Sequence, residues 1–165
     1  MSRGFVKEGD QEEHPIIPPR AALPNGVNNF VTPNGWKELL QEREELENQR
    51  KALPTDNERE RRYGAMVIEG TLKLLDERIN TARIIDLTTQ PKDEVRFGAT
   101  VEFLNGKRKL TFQIVGVDEA NIKKQKIAFT SPIARALVGA KVGEEVDFHR
   151  ETETVKLKVL SVKYE

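Results

Sequence analysis

The chain has no cysteine and only two histidines, His14 and His149, at opposite ends of its 165 residues. Disulfides, thiolate zinc sites, iron–sulfur clusters and cysteine nucleophiles are excluded together, and no histidine-rich metal cage can be built. Aromatics are scarce as well: seven Phe, two Tyr and one Trp in a chain that is 37% hydrophobic supply one or two small cores, not a large enzyme with a deep apolar pocket. No run of about 18 apolar residues occurs. The N-terminal MSRGFVKEGDQEEHPIIPP has acids and prolines where a secretion signal needs an apolar core, so a cytoplasmic location is expected. An excess of one charge is also missing, since 27 Lys+Arg balance 27 Asp+Glu. That balance argues against binding nucleic acid by bulk attraction, and any use of charge has to be local.

Divided by segment, the zero is a sum of unlike parts. Residues 1–35 hold five of the eight prolines and no sustained hydrophobic period. Residues 1–31 therefore read as a flexible Pro-rich tail, with Phe5, Ile16, Ile17 and Phe30 as apolar anchors should it drape over a partner or its own body. Residues 36–86 carry 12 acids and 10 bases on an apolar skeleton spaced for helices. Thr32-Pro33 is an N-cap followed by proline at the first helical position, and Leu39, Leu46 and Leu53 are seven apart. In the second arm Ile68, Leu72, Leu75, Ile79 and Ala82 step by four and three, the seam of an antiparallel helical pair. Proline at 54 disfavours helix at Leu53, and Thr55-Asp56-Asn57-Glu58 reads as a capping box that starts the second helix. Residues 32–86 are thus predicted to be a two-helix coiled-coil hairpin, with arms of roughly 20 and 30 residues and a length of some 30 to 45 Å.

Residues 87–94 form a linker, after which the hydrophobic period changes from 3.6 to 2. Val95 to Phe103, Lys109 to Val117, Gln125 to Phe129, Glu145 to His149 and Thr154 to Tyr164 read as strands, and Asn105-Gly106 as a hairpin turn. One short helix interrupts them, with Ser131 as N-cap, Pro132 at its first position and Gly139 as its stop. From Leu87 onward 14 bases face 11 acids, so this module is mildly basic while the hairpin is mildly acidic.

The run Ser131-Pro132-Ile133-Ala134-Arg135-Ala136-Leu137-Val138-Gly139, followed by Lys141-Val142-Gly143-Glu144-Glu145-Val146, resembles the signature of the Gre family of bacterial transcription elongation factors. Phe97-Gly98-Ala99-Thr100-Val101, Ile114-Val115-Gly116-Val117-Asp118-Glu119-Ala120 and Ala82-Arg83-Ile84-Ile85-Asp86 are similar to its other motifs in order and spacing. The resemblance spans about residues 32–165 and implies an α+β architecture: an N-terminal antiparallel coiled coil followed by an FKBP-like antiparallel sheet domain, residues 95–165, with one short helix. It also implies a partner, RNA polymerase. The globular domain of such factors docks at the rim of the secondary channel, and the hairpin tip helps the polymerase cleave a backtracked transcript. The nascent RNA 3′ end is then met only indirectly, the chain is not itself an enzyme, and it is expected to act as a monomer with no tightly bound cofactor.

In the family, tip acids help hold a second Mg²⁺, shared with the polymerase active centre; carboxylates are hard ligands suited to that ion. The tip here departs from the pattern of an Asp and a Glu three apart. With Tyr63 on the family tyrosine, Asp56 falls on the Asp but Arg59 falls on the Glu, and arginine cannot ligate a metal. Glu58 and Glu60 are the substitutes, so the expected Mg²⁺ ligands are Asp56 and Glu60, with Glu58 serving the capping box. Arg59, Arg61 and Arg62 are candidate tip contacts to polymerase or nucleic-acid acidic groups, or a solvated face. Ser131, Pro132 and Arg135 are the candidate polymerase interface. The hairpin is a couple of turns per arm shorter than the family's. Two alternatives stand beside cleavage stimulation: a non-cleaving regulator competing for the secondary channel, and a coiled-coil interaction protein unrelated to polymerase.

Overall fold

A computed structural model of the protein describes residues 14–165; the first part of the expected tail, with Phe5, lies outside the described residues. Helix α1 (Pro33–Lys51) begins as the sequence predicts, with the Thr32 hydroxyl accepting a hydrogen bond from Gly35 N at 3.0 Å. Helix α2 (Glu58–Thr81) returns alongside it. The ion pairs Arg43–Asp76 and Arg50–Glu69 advance on one arm as they retreat on the other, which is the register of an antiparallel pair. At about 1.5 Å per residue the arms are some 29 and 36 Å long.

The start of α2 corrects one expectation. Asn57, not Thr55, is the N-cap, and its Oδ1 accepts from Glu60 N at 3.1 Å. Asparagine reaches the orphan donors of a first turn as well as threonine does, and this choice leaves Pro54, Thr55 and Asp56 free to make the reversal. Glu58 is therefore the first helical residue rather than the capping-box glutamate. The seam is built from the expected heptad positions: Leu39, Ile68 and Leu75 are buried, and Leu46, Ile79, Ala82 and Trp36 pack around Leu39 and Leu75. It is closed within one chain.

The C-terminal module is a five-stranded sheet in the order β5-β4-β3-β7-β6, made of β3 (Thr100–Asn105), β4 (Arg108–Val115), β5 (Lys126–Ala128), β6 (Glu145–His149) and β7 (Thr154–Lys163). Three of its pairings are antiparallel, and β5 joins the edge of β4 in parallel, so the sheet is mixed. The first strand starts five residues later than its apolar pattern predicts. Gly98 stands at φ +89°, a conformation that only glycine adopts freely, and its missing Cβ leaves room for Leu87, which would lie 2.1 Å away. Extended pairing cannot run through that turn. The short helix α3 (Pro132–Leu137) covers the sheet through buried Ala134 and Leu137, over a core that includes Phe103, Ile114, Leu157 and Val159.

Two short strands escape the sequence pattern. β1 (Asn29–Val31), just before α1, pairs in parallel with β2 (Ala82–Ile84), just after α2. The pairing is parallel because residues 14–28 run along the outside of the hairpin, in the direction of α2, before the chain turns at Thr32-Pro33 into α1. Ile17 lies on Gly70, where a Cβ would stand 2.7 Å from its side-chain carbons, and Ala21 O accepts from Arg78. Residues 14–28 are thus a strap against the rod.

Candidate functional site

The far end of the rod is exposed. Asp56 is exposed in the turn, Glu58 and Glu60 are exposed in the first turn of α2, and Arg59, Arg61 and Arg62 are exposed among them. Tyr63 is half exposed, and closure of the tip falls to Leu53, which fills the space over Gly64. With Asn57 as cap, the Glu58 carboxylate is released from that duty. Among the described residues no group of three or more His, Asp or Glu side chains is gathered where a metal could be held. The tip therefore offers hard oxygen donors, but fewer than a cation needs from one protein.

The docking candidates sit elsewhere, on α3. Ser131 Oγ accepts from Ala134 N at 3.4 Å, so Ser131 acts as the cap of that helix. Pro132 and Arg135 face outward, and the exposed apolar side chains of Val138 and Val142 follow them in the chain. The sequence-predicted residues thus form two separate groups, one at the tip and one on the module.

What relates these groups is the junction at the base of the rod, and sequence reasoning missed it. Glu119, buried in the loop after β4, accepts hydrogen bonds from Thr32 N and Gly116 N, each at 3.0 Å, and from the Thr32 hydroxyl. A carboxylate from the module thereby sits against the N-terminus of α1, where the helix dipole favours negative charge. Gly35 makes this approach possible, since a Cβ there would lie 2.1 Å from the Glu119 carboxyl carbon. Beside it Phe30 of β1 meets Phe97 and Phe129 of the module at ring-centroid distances of 5.8 and 5.5 Å, and those two rings are 5.5 Å apart. The triangle is tilted and edge-on, the favourable arrangement for aromatic rings.

The neighbouring Asp118 is held by two arginines. Arg20 Nε of the strap donates to one carboxylate oxygen at 2.9 Å, and Arg78 Nη1 of α2 donates to the other at 3.0 Å. The two terminal nitrogens of Arg20 grip both oxygens of Glu42 in α1, at 2.6 and 2.9 Å. The Glu42 hydrogen bond is the largest influence holding the Arg20 guanidinium still more firmly in its charged form, against the opposing effect of burial. The one signal that could have revealed this cluster is a charged residue within an apolar or proline-rich run: Arg20 after Pro18-Pro19, and Asp118-Glu119 after Ile114 to Val117.

Residues 90–164 match the family described as transcription elongation factor, GreA/GreB, C-term. This similarity covers the C-terminal module and under half of the chain. The chain is 38% identical over 100 residues to the transcription elongation factor GreA of Trichlorobacter lovleyi, and 42% identical over 100 residues to that of Methylococcus capsulatus. Each match covers 59% of this chain and 63% of the relative. The chain thus spans under two thirds of the length of these curated relatives. A solved GreA/GreB factor from Nitrosomonas europaea is 18% identical, with 82% of this chain and 98% of that one covered at a TM-score of 0.40. The matched GreA/GreB segment contains α3 with Ser131, Pro132 and Arg135, and it contains Asp118 and Glu119. The hairpin tip and the strap lie outside it.

Proposed function

We propose that the chain is a transcription elongation factor that binds RNA polymerase at its secondary channel and stimulates the polymerase's own cleavage of backtracked transcripts. The observation that carries this reading is the pairing of a module similar to the GreA/GreB C-terminal domain with a slender, closed hairpin ending in exposed carboxylates. The module supplies docking through Pro132 and Arg135, with Ser131 holding their helix in shape. The rod supplies reach, and its charged exterior suits an aqueous channel. Asp56 and Glu60 are the residues that would hold a Mg²⁺ shared with the polymerase, and Glu58 is free to assist. When bound, such an ion polarises water near a phosphodiester. Arg59, Arg61 and Arg62 would meet phosphates or polymerase acids. The chemistry belongs to the polymerase, so the chain is an accessory factor and not an enzyme. The seam needs no second copy to bury it, which supports a monomer. No described helix is long and apolar enough to cross a membrane.

One observation favours a second reading, a non-cleaving regulator competing for the same channel: Arg59 stands between Glu58 and Glu60, where the family pattern has its glutamate. A cleavage assay on a backtracked elongation complex with Mg²⁺ separates the two. Cleavage lost in Asp56→Ala/Glu60→Ala with binding retained supports the first reading. No extra 3′ fragment from the wild-type protein, with binding retained, leaves the second. The interface is tested by Pro132→Ala/Arg135→Glu, which spares the Ser131 cap; polymerase affinity unchanged by this pair would remove the docking assignment.

A further inference from the structure

The contacts between the module and the rod fall into two groups that differ in kind. Glu119 and the phenylalanine triangle lie together at the N-terminal end of α1, and contacts gathered at one end hold position better than they hold tilt. The second group lies off that end: Asp118 reaches α1 through Arg20, which grips Glu42, nine residues beyond Pro33 and about 14 Å along the axis. Two separated attachments remove a rotation that one permits. The intermediary has the right shape for the task, because a guanidinium is a rigid planar fork and here two of its sides are satisfied at once, one by the rod and one by the module. Arg78 closes the ring, joining α2 to the other oxygen of Asp118 and to the strap carbonyl of Ala21. Asp118 is 5% exposed, so the charges that meet there are little screened by salt.

We propose that Arg20 is a positioning residue: carried on the strap, it fixes the angle between the hairpin and the C-terminal module and so aims the tip. A lever makes the effect large. The tip of α2 is some 36 Å from its base, so a tilt of about 10° displaces the tip carboxylates by about 6 Å, where misplacement by 1 Å can already be felt in a reaction. The strap is thus part of the active geometry although it contributes no group to the tip. This aiming role in the polymerase complex rests on the function proposed above, whereas the latch itself does not.

The test reads the angle directly. The chain has no cysteine, so Thr55→Cys at the tip and Lys107→Cys in the β3–β4 turn, both exposed, accept two spin labels at known places. The full-length protein should give one narrow distance distribution. Arg20→Ala should broaden or shift it, Asp118→Asn should do the same, and Arg20→Lys, which keeps the charge but loses the fork, should restore it in part. In polymerase assays Arg20→Ala should lower the maximal cleavage several-fold while the half-saturating concentration, set by α3, stays within about twofold. A purely structural role would lower thermal stability and leave the distance unchanged, and an unchanged distribution in Arg20→Ala overturns the proposal. Should Arg20→Ala fail to fold, Glu42→Gln provides the same readout with the strap arginine in place. If the distances change as stated while the polymerase is not bound at all, the latch stands and the functional reading falls.

Discussion

The two ends of the hairpin are built to opposite rules. At the base, a buried carboxylate takes three hydrogen bonds, three phenylalanine rings meet, and an aspartate is shared by two arginines from different segments. At the tip, the contacts among the described residues are slighter: Asn57 caps α2 and Leu53 fills the space over Gly64. Packing is concentrated where orientation is decided, and carboxylates are left exposed where another molecule has to complete the site. A rod whose tip satisfied its own carboxylates would have nothing left to offer at its destination.

That contrast makes the base the place where substitutions should hurt most. Phe30→Ala removes one corner of the aromatic triangle and should destabilise the protein by about 3 kcal/mol in denaturant unfolding, given the area and ring geometry lost. A loss under about 1 kcal/mol would mean the rings are not what binds rod to module. Glu119→Ala strips the buried Thr32 and Gly116 amides of their acceptor and should lose about 2 kcal/mol by the same measurement. At the tip, Asn57→Ala should lose only about 1 kcal/mol, visible as faster amide exchange confined to the first turn of α2; exchange spreading to the base would erase the distinction between the ends. The smallest effect belongs to Asp86, whose carboxylate is held below its ordinary range first by the Thr88 hydroxyl and then by the Thr88 amide. A group with a depressed folded-state pKa adds stability at neutral pH that fades as pH falls through that pKa. Thr88→Val should lower stability slightly at neutral pH and converge with the unsubstituted protein as the pH falls, which flattens the acid side of the stability profile.

The elements were largely legible because each carries its own period. The seam from Leu39 to Ala82, the Thr32-Pro33 start of α1, the Ser131-Pro132 start of α3 and the strand Glu145–His149 all follow from local pattern and capping chemistry. The N-cap of α2 was misread because Thr55 and Asn57 are both good caps two residues apart, and only the course of the turn after Pro54 decides between them. The β3 start was misread because an apolar run through Val95, Phe97 and Ala99 says nothing about the positive φ of Gly98. The junction was illegible for a deeper reason. Arg20, Glu42, Arg78 and Asp118 lie on four separate segments, and nothing periodic links them. At the candidate site, sequence identified the tip acids and the α3 surface but not the machinery that relates one to the other.

The parallel pairing of β1 with β2 has a consequence for how this molecule can vary. Both ends of the hairpin are anchored at one place, so nothing in the base records how long the arms are. Adding one heptad to each arm would extend the rod by about 10 Å and leave the seam register, Glu119 and the phenylalanines as they are. Reach is therefore an adjustable length, like the extension of a telescoping pole, set independently of the grip at its handle.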